Sequence, residues 1–479
     1  MMPAFPALNK SQEITLRLES FALDGKSVAR HGGFVVFVEG GVPGDEVRAL
    51  IKRVKKQYAE AEVLEVVTPS ALRTAPRCTY FGTCGGCRWQ HVSYQAQLEF
   101  KRRHVVDTLE RIGGFTGVAV HPTIGAENIY FYRNKMEFSF GERWLTKEEY
   151  ASRKSEATKR ETLALGLHIP QRFDKVLDIE ECHLQSELSN RILNLVKEFC
   201  AERRLPYYST FTHTGFLRNL VIRQSAHTDE VMVNIVTSAD DAEFMKALTS
   251  RLLEAFPGIT TVVNNITQRK SQVAIGEVEK VYHGPGFITE RIGKRTYRIS
   301  ANSFFQTNTR QAETLYDTAK RMAALQPDDV VFDLYSGTGT IALHVAEEAR
   351  EVVGIESVAS AIDDARTNAA ANGIQNCTFI LGDLKDCLTR NREWLRNHQK
   401  PNVMIIDPPR AGMHEKVVQE VLAMKPARIV YISCNPATQA RDLALMCGAN
   451  GYEIAEVQPV DMFPHTSHIE NVVSLKSRQ

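Results

Sequence analysis

The sequence lacks the features of membrane proteins and of disulfide-stabilised secreted proteins. Its continuous apolar runs, such as Val403–Ile406, have only the length of a strand, whereas a membrane-spanning helix needs about 20 apolar residues. The segment Met1–Ser20 has no apolar core of the signal-peptide type. Nine cysteines, unevenly spaced over 479 residues, are too few for a disulfide framework. These absences predict a cytoplasmic protein with no membrane association.

The sequence also has no large excess of positive or negative charge. The 58 Lys and Arg residues and the 57 Asp and Glu residues leave a net charge of +1, which by itself indicates no partner, and no obligate protein partner is predicted. Binding to nucleic acid must therefore depend on local basic segments. The chain is longer than one hydrophobic core usually serves, so we expect about two or three domains.

Residues 12–68 carry the signals of a small β-rich module. Apolar and polar residues alternate over Ile14–Leu18, Phe34–Val38 predicts a second strand, and a basic stretch, Arg48–Lys56, follows. The segments Asp-Gly-x-x-Val-Ala-Arg and Val-Pro-Gly-Asp-x-Val resemble those of the TRAM domain, an OB-like barrel attached to RNA-modifying enzymes. The resemblance implies RNA binding through the basic strand. The alternative is a generic barrel whose basic strand is only solvated.

From about Ile299 onward, strands alternate with helices, which predicts a doubly wound α/β domain. The buried-strand run Val330–Leu334 is followed by Tyr335, a glycine-rich turn and the helix-like segment Ile341–Ala349. Such a turn lets the backbone approach a nucleotide-like ligand closely. Glu356 ends the next strand and is suited to accept hydrogen bonds from ribose hydroxyls. NAD enzymes use the same arrangement, so these features alone leave the cofactor open.

The cofactor is indicated further along the chain, at Asp407-Pro408-Pro409-Arg410. An apolar strand that delivers an acid and two prolines to its carboxyl end is the fourth-strand motif of many S-adenosylmethionine enzymes. The prolines fix the backbone angles and remove amide donors, which makes a rigid lip beside the transferable methyl group.

A cysteine follows the predicted strand Arg428–Ile432, in Ser-Cys434-Asn-Pro-Ala-Thr. Uracil C5 is a poor nucleophile, and a thiolate that adds to C6 turns the ring into an enolate whose C5 attacks a methyl sulfonium. This chemistry needs a cysteine whose thiolate is favoured by a polar, partly exposed setting. Without its context, a cysteine at a strand end would be a packing residue.

Three motifs supply that context: Asp-Pro-Pro-Arg, Ser-Cys-Asn-Pro-x-Thr and His468-Ile-Glu470 occur in this order, downstream of Phe304-Phe-Gln306-Thr-Asn. Together they closely resemble the bacterial RNA (uracil-5-)-methyltransferases over essentially the whole chain. The resemblance implies that Cys434 is the nucleophile, that Glu470 removes the C5 proton, and that Phe304 stacks on a base. It also implies that S-adenosyl-L-methionine is bound by four side chains, Gln306, Tyr335, Glu356 and Asp407.

A cysteine cluster lies between the barrel and the rest of the chain. Cys78, Cys84 and Cys87 fall within ten residues, among glycines that allow the tight turns of a chelating loop. The family resemblance adds Cys182 as the fourth ligand and implies a [4Fe–4S] cluster. A four-cysteine site suits zinc equally. Because methyl transfer has no electron-transfer step, we interpret the cluster as structural, or as a brace for RNA.

These observations predict three domains. Residues 12–68 form a TRAM barrel, residues 69–295 form a central mixed α+β domain with the cysteine cluster, and residues 296–479 form a Rossmann-like α/β methyltransferase domain. The charge-dense segment Glu142–Arg160 is expected to be an exposed insertion.

The predicted substrate is RNA, with 23S ribosomal RNA favoured, because the transfer-RNA branch of the family generally lacks the barrel and the cysteine cluster. Three alternatives remain open. The first is a transfer-RNA uridine methyltransferase. The second is an iron–sulfur redox or radical RNA-modifying enzyme, whose usual Cys-x3-Cys-x2-Cys spacing differs from the one here. The third is a catalytically silent RNA-binding protein, which the intact Cys434 and Glu470 argue against.

Overall fold

A computed structural model describes residues 8–145, 163–170, 172–271, 273–390, 393–448 and 451–478. Of the predicted insertion at 142–160, residues 146–160 lie outside these ranges. Within the part of the chain that is described, no helix is long and apolar enough to cross a membrane.

The amino-terminal strands close into a barrel in the order β1-β2-β3-β5-β4. Their bounds are β1 Glu13–Phe21, β2 Ser27–His31, β3 Phe34–Glu39, β4 Glu46–Val54 and β5 Tyr58–Thr68. The predicted alternation is confirmed, because Ile14, Leu16 and Leu18 all point into the barrel core. Buried Asp45 accepts two hydrogen bonds from the guanidinium of Arg73, at 2.8 and 2.6 Å, which fastens the barrel to the segment that follows it.

The central region contains a seven-stranded sheet in the order β12-β11-β10-β9-β6-β7-β8. The bounds of its strands are β6 Lys135–Arg143, β7 Leu163–Ile169, β8 Arg172–Asp178, β9 Leu217–Gln224, β10 Val231–Thr237, β11 Thr261–Ile266 and β12 Val278–His283. Two amphipathic helices, α2 (Glu187–Glu202) and α3 (Ala242–Ala255), bury their apolar faces in the core that covers one face of this sheet.

Helix α1 (Tyr94–Arg111) follows the cysteine cluster and buries one face. Its buried residues Val105 and Leu109 belong to the same hydrophobic core as Phe332 and Ile429 of the carboxyl-terminal sheet. The helix that follows the cysteine cluster is therefore packed on the carboxyl-terminal region.

The carboxyl-terminal sheet has the order β17-β16-β15-β18-β19-β21-β20. The first five strands are parallel and the last two are antiparallel to their neighbours. Strand bounds are β15 Val330–Leu334, β16 Glu351–Glu356, β17 Cys377–Leu381, β18 Val403–Ile406, β19 Arg428–Ser433, β20 Tyr452–Val460 and β21 Glu470–Ser477. A hairpin, β13 (Phe287–Ile292) and β14 (Arg295–Ser300), joins this core through Ile288 and Tyr297.

Helices cover both faces of this sheet. They are α4 Thr309–Ala323, α5 Thr340–Val345, α6 Ala359–Ala371, α7 Leu384–Thr389, α8 Glu415–Met424 and α9 Pro436–Met446. The helix predicted over Ile341–Ala349 is shorter than expected, because a 3-10 turn over Ala346–Glu348 follows α5. The predicted fold class is confirmed: an amino-terminal OB-like barrel, a mixed α+β centre and a Rossmann-like α/β domain.

Candidate active site

Four of the predicted site residues lie at one edge of the carboxyl-terminal sheet. Glu356 is the last residue of β16, and Tyr335, Asp407 and Cys434 directly follow β15, β18 and β19. Because these strands are parallel neighbours, their carboxyl ends meet. The strand order reverses between β15 and β18, and in open α/β sheets ligands bind in the crevice at such a switch point.

The turn after β15 is tight and closely packed. Tyr335 adopts a left-handed backbone conformation, with φ of 67°, which is costly for a residue with a side chain. At Gly339, φ is 78° and a Cβ atom would lie 2.9 Å from the ring of Phe379, so only glycine fits there. Packing alone therefore requires glycine at position 339 of this turn.

Backbone amides hold the carboxylate of Glu356. Its Oε2 accepts from the N–H of Gly337 at 3.1 Å, and its Oε1 accepts from the N–H groups of Ser357 and Val358 at 2.7 and 2.9 Å. Oε1 also accepts from Oγ of Ser357 at 3.1 Å, whereas Oε2 accepts only from Gly337 among the described donors. A carboxylate oxygen has about two acceptor positions, so Oε2 has room for one further donor such as a ribose hydroxyl. The side chain is fixed in place before a ligand arrives.

Two acids lie close together beneath this edge. Burial, together with the negative charge of Asp407, raises the pKa of Asp333 to about 8. Burial likewise raises the pKa of Asp407 to about 7. A buried pair of acids is costly to ionise unless a positive charge is nearby.

Cys434 and Glu470 lie side by side at one end of the antiparallel ladder formed by β19 and β21. Ser433 pairs with Asn471, so Cys434 and Glu470 are the next residues along the two strands. Glu470 is 5% exposed, and burial, with the charge of Asp407, raises its pKa well above its usual value. The residues proposed for addition and for proton removal are therefore neighbours in the fold.

The electrostatic setting of Cys434 differs from the expected one. The thiol is partly exposed, but burial, followed by the charge of Glu470, raises its pKa to about 11. The expectation of a site that favours the thiolate is therefore wrong for the protein without ligands. The opposing influence is Arg410, whose charge lowers the pKa of both Cys434 and Glu470.

Hydrogen bonds tie the cysteine loop to the Asp-Pro-Pro-Arg loop. The carbonyl of Arg410 accepts from Nδ2 of Asn435 at 3.0 Å and from Oγ1 of Thr438 at 3.2 Å. Asn435 also caps α9 by accepting from the N–H of Ala437. The Asn and Thr of the cysteine motif therefore hold its loop against the loop that carries Asp407.

Phe304 and Gln306 belong to the loop between β14 and α4. Phe305 is 4% exposed and anchors the loop in the core, whereas Phe304 is 71% exposed. Asn134 holds the loop from the central region, because its Nδ2 donates to the carbonyl of Gln306 at 2.8 Å and its N–H donates to the carbonyl of Thr307. An exposed aromatic ring on a fixed loop is suited to stacking on a base.

The four cysteines predicted as metal ligands line one cavity of about 330 Å³, together with Arg133 and Lys135. These ligand candidates are Cys78, Cys84, Cys87 and Cys182. Burial raises the pKa of Cys84 to about 11 and that of Cys87 to about 12. Within the described ranges, no three His, Cys, Asp or Glu side chains are placed to hold one metal ion. The structure thus brings the four predicted ligands to one cavity, but it does not support the predicted [4Fe–4S] cluster.

Comparison with known proteins identifies the family. A family model described as tRNA (Uracil-5-)-methyltransferase matches residues 265–478, and a TRAM domain model matches residues 8–64. An uncharacterized RNA methyltransferase of Chlorobaculum tepidum is 48% identical over 92% of this chain and 91% of its own length. One of Porphyromonas gingivalis is 43% identical over 96% of this chain and 99% of its own length. The chain belongs to the RNA (uracil-5-)-methyltransferase family.

A solved structure agrees with this assignment. The crystal structure of Pyrococcus abyssi tRNA (uracil-54, C5)-methyltransferase in complex with S-adenosyl-L-homocysteine matches with a TM-score of 0.74 and 29% identity. The match covers 96% of this chain and all of that chain. The predicted S-adenosylmethionine dependence of this RNA methyltransferase is thereby supported.

Sequence reasoning missed several residues that shape the site of this methyltransferase. Arg410 belongs to the Asp-Pro-Pro-Arg motif, but the motif does not predict its effect on the pKa of Cys434 and Glu470. Lys101 and Asp461 form an ion pair in which both side chains are 0% exposed. Their separation along the chain is 360 residues, so no local pattern signals the pair. The only local signal is a lysine spaced three residues after Leu98 and four before Val105, in line with two apolar residues.

Proposed function

We propose that this methyltransferase transfers the methyl group of S-adenosylmethionine to C5 of a uridine in RNA, with 23S ribosomal RNA as the substrate. In this proposal Cys434 is the nucleophile and Glu470 is the base. The observation that carries it is the placement of Cys434 beside Glu470, at the strand ends that also present Tyr335, Glu356 and Asp407.

The proposed reaction has three steps. The thiol of Cys434 loses its proton to solvent and its sulfur forms a bond to C6, while the electron pair of the C5–C6 double bond moves to C5 and the adjacent C4 carbonyl oxygen. C5 then takes the methyl group from the sulfonium, which leaves S-adenosylhomocysteine. Glu470 finally removes the C5 proton, and the electron pair re-forms the double bond as the bond to Cys434 breaks. Arg410 favours the charged forms of both residues.

The experiment compares Cys434→Ala with Glu470→Gln on a denaturing gel, after incubation with RNA and methyl-labelled S-adenosylmethionine. Cys434→Ala should abolish methylation and every covalent protein–RNA species. Glu470→Gln should accumulate a methyl-labelled covalent species, because loss of a general base costs about 10²–10⁴ in rate at the last step only. Normal turnover of Glu470→Gln without such a species would contradict the assignment.

Transfer RNA is the second candidate substrate, and a specific observation favours it. The Pyrococcus abyssi relative, whose name describes an enzyme acting on uracil-54 of tRNA, matches 96% of this chain, so relatives named for transfer RNA are not uniformly shorter. Mapping 5-methyluridine in both RNAs from a deletion strain separates the candidates. Loss of the modification from transfer RNA alone would overturn the ribosomal proposal.

We propose further that Cys78, Cys84, Cys87 and Cys182 hold a [4Fe–4S] cluster. The shared cavity supports this, as does Arg133 in its lining, whose charge lowers the pKa of Cys182. Protein purified without oxygen should contain iron and acid-labile sulfide, and Cys84→Ser should lose both and be less soluble, because a closed metal site adds folding free energy. Cys377→Ser, outside the cavity, is the matched control. Stoichiometric zinc without sulfide would contradict the proposal.

A further inference from the structure

The segment that leads to Glu470 has an unusual conformation. Residues Asp461–Ile469, which we call the base-leading segment, connect β20 to β21, and Glu470 is the first residue of β21. Within this segment His465 adopts a left-handed backbone conformation, with φ of 67°. Such a conformation is unfavourable for a residue with a Cβ atom and persists only where the surroundings enforce it. Something outside the segment must hold it in place.

Part of that enforcement is a buried ion pair with helix α1. Nζ of Lys101 lies 2.5 Å from Oδ1 of Asp461 and also donates to the carbonyl of Phe463 at 3.1 Å. The hydroxyl of Tyr94 donates to the other oxygen of Asp461 at 3.0 Å. Both partners of the pair are 0% exposed. Burying two charges is costly, so the pair is better explained by the conformation it specifies than by stability.

The same helix also holds His465 itself. Oε1 of Gln97 accepts from the N–H of His465 at 2.8 Å, and Nε2 of Gln97 lies 3.2 Å from Nδ1 of its ring. The carbonyl of His465 accepts from the N–H groups of Arg88 and Trp89, both at 2.9 Å. The strained residue is thus bonded at both backbone groups and at its ring by residues that follow the cysteine cluster.

We infer that Gln97 and Lys101 are positioning residues for Glu470. They are four positions apart and so lie on one face of α1, and each holds a different part of the base-leading segment. This inference rests on the proposed role of Glu470. Loosening the segment should shift Glu470, which is the first residue after it, whereas Cys434 follows β19 and is not joined to the segment along the chain.

A loss limited to the last step distinguishes positioning from a general structural role. In a single turnover with methyl-labelled S-adenosylmethionine, Gln97→Met should form the covalent methylated species at the parent rate. Its decay should slow about 10²-fold, the cost typical of a misplacement of about 1 Å. The matched control is Gln95→Met, at an exposed position of the same helix, and it should behave as the parent enzyme does.

A variant with two substitutions separates the positioning effect from misfolding. Lys101→Met combined with Asp461→Asn leaves no unpaired charge in the interior and removes the bond from Lys101 to the segment. It should show the same slow decay. Two outcomes would overturn the inference, provided that Glu470→Gln still accumulates the covalent species. In the first, formation and decay of this species slow equally in both variants. In the second, the species decays at the parent rate in both. If Glu470→Gln itself fails to accumulate it, the proposed role of Glu470 and the inference both fall.

Discussion

The guanidinium of Arg410 donates a hydrogen bond from Nη2 to Nδ1 of His468, at 2.9 Å. A guanidinium is only a donor, so His468 is neutral and carries its proton on Nε2. The bond joins the loop after Asp407 to the residue two positions before Glu470. Arg410 therefore lies near both proposed catalytic groups, and its charge lowers the pKa of Cys434 and of Glu470.

Removing this charge should make Cys434 less reactive. Arg410→Met should raise the pKa of Cys434 beyond about 11 and slow its alkylation by iodoacetamide at mildly alkaline pH, by about tenfold for each unit of pKa. Mass spectrometry of the peptide that contains Cys434 measures the rate. Arg410→Lys keeps the charge and is the control. Equal alkylation rates in Arg410→Met and the parent protein would contradict this electrostatic role.

The buried acid Asp407 should make stability depend on pH. Its pKa is about 7 in the folded protein and 3.8 in an ordinary setting. As pH rises from about 4 to about 7 the unfolded chain loses this proton before the folded protein does, so the parent loses up to about 1.4 kcal/mol of stability per pH unit.

Asp407→Asn cannot lose a proton, so it should gain stability relative to the parent over that window, and the difference should level off above a pH of about 7. Urea unfolding without S-adenosylmethionine, at a series of pH values, gives the free energy of unfolding for both proteins. If the difference in unfolding free energy between the two proteins does not change with pH, Asp407 is ionised in the folded protein over the whole pH window.

The basic side chains of the barrel should differ in their contribution to RNA binding. Arg48 and Lys52 already pair with the acids Glu65 and Glu62, both at 2.9 Å, whereas Lys55 and Lys56 are exposed at the turn between β4 and β5. Replacing both of these lysines by Gln should reduce the slope of log Kd against log salt by about 0.7–0.9 per lost phosphate contact. Arg48→Gln should change the slope less. Equal slopes in all three proteins would exclude the barrel turn from RNA contact.

Two phenylalanines of equal exposure provide a matched test of base stacking. Phe304 is 71% exposed and Phe211 is 70% exposed, but only Phe304 lies on the loop next to Gln306. Phe304→Ala should weaken RNA binding by about 1–3 kcal/mol, the usual contribution of one base stacked on an aromatic ring. Phe211→Ala should leave binding unchanged. Titrations with labelled RNA measure both, and equal effects would make Phe304 an ordinary surface residue.

Much of the proposed site could be predicted because it depends on local signals. The alternation at Ile14–Leu18 predicts a strand with one buried face, and the barrel confirms it. Tyr335, Asp407 and Cys434 each follow a recognisable buried strand. Parallel strands meet at their carboxyl ends, so their common edge was implied once the strands were identified.

Only the tertiary structure determines the electrostatic environment and the bonding partners of these residues. The pKa of Cys434 depends on burial and on Glu470, and neither can be read from the cysteine motif. Arg48 belongs to a basic stretch in the sequence, but the fold pairs it with Glu13 and Glu65. Lys101 lies on a helix whose pattern specifies one apolar face. A periodic pattern predicts which face of a helix is buried, but not which residues pack against it. The partner of Lys101 cannot be predicted in this way, because it is 360 residues away along the chain.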